Sequence, residues 1–368
     1  MPEKWEKVKL SDVATIKYGK DHKKIDDGKI PVYGTGGVMR YVDTPLYGKK
    51  SVLIPRKGSL GNLFFVEKPF WTVDTLFYTE IDENRIIPEY LYYKLKTFDL
   101  ANMNVGSAVP SLTTAILNPI EFELPPIEVQ SKIAKTLGVL DKKIESNKEI
   151  NHHLAEIAKS IFDSYFIDLS PYDGVMPDDW QLSNLTGIAN YLNGLAMQKH
   201  RPQSNEQGLP VLKIKELRQG FTDSTSDLCS SNIRRDYIIH DGDVIFSWSG
   251  SLLVDFWTGG DCGLNQHLFK VSSETYDKWF YYAWTKHHLD RFVKMAADRA
   301  TTMGHIKRDA LEKAEVLIPS NKDYQEIGNK LKPIYDQIIN NRVESRKLVA
   351  LRDTLLPKLM SGEISATD

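Results

Sequence analysis

Apolar residues recur with a heptad period in two long stretches of the chain. In the first stretch the steps alternate between four and three residues, in the series Ile133, Leu137, Leu140, Ile144, Asn147, Asn151, Leu154, Ala158, Ile161 and Tyr165. The second stretch has the same spacing, in the series Ile327, Leu331, Ile334, Ile338, Asn341, Ser345, Leu348, Arg352, Leu355 and Leu359. This period predicts two long amphipathic helices, each with a coiled-coil seam. Both seams become polar near their middle, and a buried polar layer there is expected to fix register and orientation at a cost in stability.

A helix breaker stands at the same place in each stretch. Gly138 and Pro333 both follow a glutamine, Gln130 or Gln325, by eight residues. Because both residue types destabilise helix interiors, we expect a short helix, a kink and then a longer helix in each stretch. The longer helix has about 30 residues, or about 45 Å at 1.5 Å per residue. We expect the two helices to pack on each other as an antiparallel spacer; the alternative is that each helix only covers its own domain.

The chain also repeats itself outside these stretches. Three offsets of 175, 179 and 192 residues relate the two halves in order, with only small insertions between them. They place Trp5, Leu10, Ala14 and Gly19 on Trp180, Leu185, Ala189 and Gly194, Ile30-Pro31-Val32 on Leu209-Pro210-Val211, and Val52 to Phe77 on Val244 to Phe269. An ordered set of matches of this kind indicates two homologous halves, about 1–168 and 176–362. The joint at 170–177 is typical of a linker.

Short β-rich runs alternate with glycine-rich turns in the first part of each half. The runs at 51–55 and 243–247 predict strands, and aromatic-rich segments at about 88–101 and 275–295 predict helices. We therefore predict an α+β protein in which two homologous domains are separated by two long helices that form an antiparallel coiled coil with pseudo-twofold symmetry. The predicted boundaries are 1–126 for the first domain, 127–168 for the first helix, 169–179 for the linker, 180–320 for the second domain and 321–362 for the second helix.

Composition adds limits to this picture. Hydrophobic residues make up 41% of the chain and aromatic residues 10%, which is typical of a globular protein with hydrophobic cores. The net charge is −2. Basic residues are nevertheless concentrated: residues 1–60 hold 13 Lys/Arg against 7 Asp/Glu, and residues 198–220 hold five against two. Such segregated charge can serve DNA binding although the mean charge does not suggest it. We expect no membrane span and no signal sequence, and hence a cytoplasmic location.

Motifs for catalysis are not found in the sequence. Gly48-Lys49-Lys50-Ser51 lacks the spacing of a phosphate-binding loop, and Asn118-Pro119-Ile120 is not the Asn-Pro-Pro-aromatic motif of an amino-methyltransferase. The histidine pairs His152-His153 and His287-His288 have no companion ligands, so no metal site is predicted. Cys229 and Cys262 are interpreted as packing residues. The sequence predicts a protein that is not itself an enzyme.

Several segments resemble type I restriction–modification specificity subunits. The segment from Ile120 to Gln130, which contains Leu124-Pro125-Pro126 and leads into the heptad helix, is similar to the start of that family's conserved region. The second copy, 316–325, is a weaker match with one proline. The opening Trp-x-x-x-x-Leu, the stretch 30–37 and the stretch 54–61 resemble the family's target-recognition domains. The resemblance covers essentially the whole chain.

The resemblance implies a function for each part. Each globular domain would be a target-recognition domain that reads one half of a bipartite, asymmetric double-stranded DNA site, and the spacer helices would set the unread gap. Two methyltransferase subunits would bind the chain and supply S-adenosylmethionine, and restriction/translocase subunits would add ATP-driven, Mg-dependent cleavage. The chain itself would hold no cofactor and no metal.

Candidate DNA-binding residues lie in loops of both halves, where Arg and Lys can hold phosphates or read guanine edges. In the first half they are Lys23, Lys24, Arg40, Arg56, Lys57, Ser59, Ser107, Ser111 and Thr113. In the second half they are Lys199, Arg201, Lys213, Lys215, Arg218, Trp248, Ser251, Arg299, Thr301, Thr302 and His305. Gly34, Gly36 and Gly37 are expected to shape a turn rather than to make contacts.

Two other functions remain open from the sequence. The chain could be a stand-alone DNA-binding regulator that works without enzyme partners. It could also be a coiled-coil scaffold that presents two protein-binding modules and does not bind DNA.

Overall fold

Contacts within the chain divide it into two units, and each unit takes part of both heptad stretches. The first unit is Met1–Lys142 together with Val349–Asp368, and the second is Lys143–Leu348. The structure, a computed structural model, describes residues 5–103, 110–297, 306 and 308–366. Among the described helices, none combines the length and the apolar character that spanning a bilayer needs.

The first unit is built mainly from short strands. Its strands are β1 (Glu6–Lys9), β2 (Ala14–Tyr18), β3 (Asp27–Gly34), β4 (Gly37–Val42), β5 (Ser51–Pro55), β6 (Phe64–Val66), β7 (Trp71–Thr72), β8 (Leu76–Ile81) and β9 (Glu121–Leu124). Its helices are α1 (Leu10–Val13), α2 (Pro88–Lys96) and α3 (Thr114–Leu117), and α4 (Ile127–Phe162) begins in it.

Among the described residues, the second unit has a similar order of elements, with one more strand and two more helices. Its strands are β10 (Gln181–Asn184), β11 (Asn190–Asn193), β12 (Leu209–Leu212), β13 (Leu228–Cys229), β14 (Ile238–Ile239), β15 (Val244–Ser247), β16 (Leu253–Phe256), β17 (Cys262–Leu264), β18 (Leu268–Ser272) and β19 (Glu315–Ile318). Its helices are α5 (Leu185–Ile188), α6 (Ile214–Gln219), α7 (Lys278–His287), α8 (Leu289–Ala297) and α9 (Arg308–Glu312), and α10 (Asn321–Met360) begins in it.

The sheets of the two units have matching topology and register. A four-stranded antiparallel sheet has the order β2-β8-β5-β6 in the first unit and β11-β18-β15-β16 in the second. Ile54 pairs with Phe77 in the first, and Phe246 with Phe269 in the second. The smaller sheets, β4-β3-β7 and β13-β12-β17-β14, share a parallel pair, β3 with β7 and β12 with β17. These registers follow the sequence offsets of 179 and 192 residues and confirm the internal repeat.

The residues of the heptad seams are buried or half-buried, as the periodicity predicts. Ile133 and Leu137 of α4 pack in the core of the first unit with Leu359 of α10. Ala158 of α4 packs in the core of the second unit with Leu331 of α10. In the second unit the two helices run antiparallel, because Asn147 bonds Ser345 and Asn151, one turn later on α4, bonds Ile338. In the first unit Asp141 of α4 bonds Arg352 of α10 at 2.7 Å.

The predicted division of each heptad stretch into a short and a long helix is wrong. Helix α4 continues through Gly138, and α10 continues through Pro333. Leu137, beside the glycine, is fully buried, and Leu331 and Ile334 flank the proline in the seam. Tertiary packing of these seam residues therefore outweighs the unfavourable helix propensity of the two breakers.

The two aromatic-rich helices differ from their predicted bounds. Helix α2 ends at Lys96 because the backbone and the hydroxyl of Thr97 both donate to the Lys94 carbonyl, at 3.0 and 2.7 Å. The predicted helix at 275–295 is two helices, α7 and α8, that meet at His288. The His288 ring contacts the Glu315 carbonyl at 2.8 Å, and burial lowers its pKa. This histidine belongs to the core rather than to the surface.

A polar layer interrupts the seam in the second unit. The side chain of Asn147 is 1% exposed, and its amide donates to Glu344 at 2.7 Å and to Ser345 at 3.2 Å. Asn341, which is also buried, donates to Asn151 at 2.9 Å. The hydrogen bond from Asn147 lowers the pKa of the Glu344 carboxyl. Because these bonds form only in one register, the layer favours this alignment of the helices.

A glycine at the end of β2, and its counterpart after β11, lets two backbones approach closely. A Cβ atom on Gly19 would lie 2.0 Å from the Val73 carbonyl oxygen, and one on Gly194 would lie 2.2 Å from the Asn265 carbonyl oxygen. The two glycines donate to Leu76 and Leu268, each at 3.0 Å. Any larger residue would push these backbones apart, which explains why the repeat retains glycine here.

We predict that Asn147→Ala lowers the stability of the second unit by about 0.5–1.5 kcal/mol, because alanine cannot make the hydrogen bonds that Asn147 donates to Glu344 and Ser345. Thermal and urea unfolding measure this change. Asn340→Ala, at an exposed position of α10, is the matched control and should leave the transition unchanged. Equal effects of the two substitutions would contradict a structural role for the polar layer.

We predict that Gly19→Ala destabilises the first unit by about 2 kcal/mol, because the new methyl group collides with backbone rather than with a movable side chain. Gly48→Ala is the control, since nothing lies within 4 Å of a Cβ atom at Gly48. Unfolding transitions of the two variants compare them. A wild-type transition for Gly19→Ala would show that the close approach is not required.

Candidate nucleic-acid interface

One edge of each four-stranded sheet gathers several loops that carry predicted DNA-binding residues. In the first unit, β2 and β5 end at this edge and β8 begins there, with Tyr18 opposite Phe77 and Pro55 opposite Leu76. In the second unit the same edge has Asn193 opposite Phe269 and Ser247 opposite Leu268. We call these the first and second recognition edges. They comprise the loops 19–24, 56–61 and 73–75, and the loops 194–201, 248–252 and 265–267.

Arg56 occupies the centre of the first recognition edge. Its guanidinium lies 5.3 Å from the ring centre of Tyr18 and donates to the Asp74 carbonyl at 3.2 Å. Its backbone amide donates to Thr75 and its carbonyl accepts from Leu112. The side chain is therefore half-buried and held in place, as a group that must meet a ligand in one geometry has to be.

Four further predicted residues surround Arg56. Lys57 pairs by backbone with Ser111 and exposes its side chain, and Ser59 is exposed in the same loop. Thr113 lies just before α3, where its carbonyl accepts from Ile116 and Leu117. The loop after β5 and the segment before α3 thus meet at one place.

Arg40 has a different environment from the other predicted residues. Its guanidinium donates to the Ile25 carbonyl at 2.8 Å and to the Asp27 carboxylate at 2.7 Å. These bonds hold the turn that carries Lys23 and Lys24, whose side chains are exposed. The arrangement favours a supporting role for Arg40 and a contact role for the two lysines.

The turn between β3 and β4 has the conformation that its glycines favour. Gly34 pairs with Gly37, and Gly37 has a φ of 111°, which is strained for other residues. The carbonyl of Thr35 in this turn accepts from the side chain of Asn62 at 3.2 Å. The turn therefore packs beside the loop after β5, and the prediction that these glycines shape a turn is confirmed.

A cleft of about 700 Å³ lies at the second recognition edge. It brings together two of the predicted cations, Arg201 and Lys213. Lys213 is paired with Asp227, and this ion pair lowers the pKa of the Asp227 carboxyl. The remaining polar residues of its lining are Gln198, Asn265, Gln266 and His267. The cleft thus offers the Arg201 guanidinium, together with amide and imidazole groups, to one ligand.

The other predicted residues of the second unit are distributed around the cleft. Lys199 lies exposed next to Gln198, and Ser251 is exposed in the loop after β15. Lys215 on α6 pairs with Asp223 at 3.1 Å and bonds Thr225 at 2.7 Å, so its charge is partly used within the unit. Arg218 is exposed in the last turn of α6. Ser107, Arg299, Thr301, Thr302 and His305 lie outside the described residues.

Trp248 occupies the position of Arg56 in the second unit. Its indole nitrogen donates to the Asn193 side chain at 3.1 Å, and Asn193 occupies the position of Tyr18. The same pair of positions is therefore in contact in both units, but through a cation over a ring in one and a neutral hydrogen bond in the other. The backbone framework is retained while the chemistry at the edge changes.

Sequence reasoning missed the polar turn before β18. Asn265, Gln266 and His267 follow a buried strand and align with Val73, Asp74 and Thr75 at the offset of 192 residues. The internal repeat could have revealed this turn, because it aligns 265–267 with 73–75, the segment that contacts Arg56 in the first unit. Cys229 and Cys262, by contrast, are buried free thiols whose pKa is raised by burial, as expected of packing residues.

Comparison with known proteins finds one family domain in each half of the repeat. The family model described as "Type I restriction modification DNA specificity domain" matches residues 2–156 and 177–347. The type I restriction enzyme MjaIX specificity subunit of Methanocaldococcus jannaschii is 26% identical over 343 residues, covering 87% of this chain and 78% of that protein. The HindI specificity subunit of Haemophilus influenzae is 21% identical, covering 88% of this chain and 89% of that protein.

A solved structure shares the fold. The crystal structure of the type I restriction–modification S subunit from M. genitalium has a TM-score of 0.66 at 16% identity and covers 97% of this chain and 96% of that one. The two ranges matched by the family model fall on the two halves of the repeat and include most of the chain. The chain therefore belongs to the type I restriction–modification DNA specificity family, as the sequence resemblance implied.

Proposed function

We propose that this specificity subunit recognises a bipartite, asymmetric site on double-stranded DNA, with one half-site for each recognition edge. The proposal rests on a contrast: the two units share one strand framework, but different side chains stand at their recognition edges. Strand register and the close-approach glycines are the same in both units, whereas Arg56 over Tyr18 is replaced by Trp248 on Asn193. Two different readers in one chain suit an asymmetric site, while two identical readers would require a palindrome.

The charged residues at the edges fit DNA as the ligand. Lys23, Lys24 and Lys57 are exposed at the first edge, and Lys199 and Arg201 at the second. Such residues bind phosphates without regard to sequence and set the position of the protein on the duplex. Arg56 is held in a fixed geometry and is suited to read a guanine edge.

The helices offer a surface for protein partners in the second unit. Ile150 and Ile157 of α4 are 42% and 49% exposed and lie one heptad apart on the same face of the helix. Exposed apolar side chains that repeat along one face of a helix are typical of protein interfaces. We assign this surface to methyltransferase and restriction subunits.

The partner subunits would carry out the chemistry. Two methyltransferase subunits would bring S-adenosylmethionine, and the restriction/translocase subunits would bring ATP and Mg. The specificity subunit itself would be non-catalytic and would act in the cytoplasm.

We predict that deletion of this gene removes one bipartite N6-methyladenine motif from the methylome of a strain with active partner genes. Sequencing of modified bases in the deletion strain and in the complemented strain measures this. A DNA-binding regulator or a scaffold without enzyme partners would leave the methylome unchanged, and that outcome would refute the proposal.

We predict that Arg56→Ala reduces base discrimination in one half-site by about 1–3 kcal/mol and leaves the other half-site unaffected, because a fixed guanidinium reader is lost from one edge only. Binding of the assembled methyltransferase complex to duplexes with single base-pair changes measures it. Lys49→Ala removes the same charge from an exposed position outside the edge and is the control. Equal weakening at both half-sites would contradict the assignment of Arg56.

A further inference from the structure

The turn that carries Gln266 is held rigidly at the second recognition edge. Asn265 is buried. Its backbone N–H donates to the Leu212 carbonyl at 3.1 Å, and its backbone carbonyl accepts from the Leu268 N–H at 3.0 Å. The side chain of Asn265 also accepts from the backbone of His267 at 3.3 Å. Gln266 thus projects from a backbone that is fixed on both sides by strands.

A relay of side chains orients the amide of Gln266. The side-chain nitrogen of Gln266 lies 3.3 Å from Nε2 of His267. Nδ1 of His267 in turn lies 3.1 Å from the hydroxyl of Ser249. Ser249 is 2% exposed, and its carbonyl accepts from Ser247. With Nδ1–H donating to Ser249, Nε2 of the neutral ring accepts one N–H from the glutamine amide.

One amide N–H and the amide oxygen of Gln266 then remain for a ligand. Among the described residues, Gln266 makes no other hydrogen bond, and it lines the cleft beside Arg201 and Lys213. Arg201 can hold the phosphate backbone beside the cleft, while Lys213 is paired with Asp227. A donor and an acceptor in one plane match the adenine edge in the major groove, where N7 accepts and the N6 amino group donates. Guanine offers two acceptors there, N7 and O6. One of them would face the amide oxygen of Gln266, which is also an acceptor, so guanine fits this side chain less well.

We propose that Gln266 reads an adenine in the half-site of the second recognition edge, with His267 and Ser249 as its positioning residues. The inference rests on the proposed DNA-reading function and adds the base class and the side chain that recognises it. The aligned position in the first unit holds Asp74, which is exposed and accepts only. The two edges therefore present different hydrogen-bonding patterns at equivalent places.

The test uses the full chain assembled with its methyltransferase subunits. Duplexes with each of the four base pairs at every position of the bipartite site report discrimination by binding, and methylome sequencing reports it in cells. For Gln266→Ala we expect a roughly tenfold or greater loss of preference for adenine at one position of one half-site, with the other half-site unchanged. Gln266→Glu replaces the donor by an acceptor, so we expect the preference at that same position to move from adenine toward cytosine, whose N4 amino group donates.

Further variants separate reading from folding. Gln207→Ala changes an exposed glutamine of the same unit and should leave base discrimination as in the wild type. His267→Phe removes the acceptor of the relay and should relax the same single position by a smaller factor, with thermal unfolding recorded for every variant. Unchanged discrimination in Gln266→Ala and Gln266→Glu overturns the inference, as does equal weakening at all positions of the half-site. If the wild-type complex recognises no bipartite site, the proposed function itself fails.

Discussion

The core of each unit is closed by segments of two helices that are distant in sequence. In the first unit, Leu137 of α4 and Leu359 of α10 complete the apolar face of the sheets. In the second unit, Phe162 of α4 and Leu331 of α10 do the same. Small sheets of two to four strands cannot bury enough apolar surface alone. The helix seams therefore serve stability directly in both units.

Ionic contacts add orientation to this burial in the second unit. Arg342 of α10 pairs with Asp255 at 2.8 Å, and Arg346 pairs with Asp241 at 2.7 Å. Both pairs are partly buried and connect the helix to the loops and strands behind the recognition edge. Because a guanidinium and a carboxylate interact best in one planar arrangement, these pairs fix how the helix lies on its own sheet.

Framework and edge follow different constraints. Residues such as Gly19 and Gly194 are fixed by contacts with backbone, which tolerate no side chain. Several side chains at the edges, such as those of Lys57 and Lys199, are exposed, so they can change without loss of the core. This separation allows one fold to present a guanidinium in one unit and an amide in the other.

Much of the fold could be predicted from the sequence, because heptad and strand periods report burial directly. The seam residues, the repeat and the strands at 51–55 and 243–247 follow from such periods. Helix continuity through Gly138 and Pro333 could not be predicted, since it depends on packing by residues of another helix. The same limit applies at the site. The relay from Ser249 to Gln266 joins two loops, and the bond between Arg40 and Asp27 joins two strands, so both depend on strand register and turn geometry.

The last turns of α10 lie within the first unit, where Lys94 donates to the Met360 carbonyl at 2.9 Å and Gly362 packs near Trp5. The second unit is one continuous segment, whereas the first is made of two segments separated by the whole of the second. During synthesis on the ribosome, the sheets of the first unit emerge first but obtain the final part of their core last. The unit that is translated second can thus finish folding before the unit that is translated first.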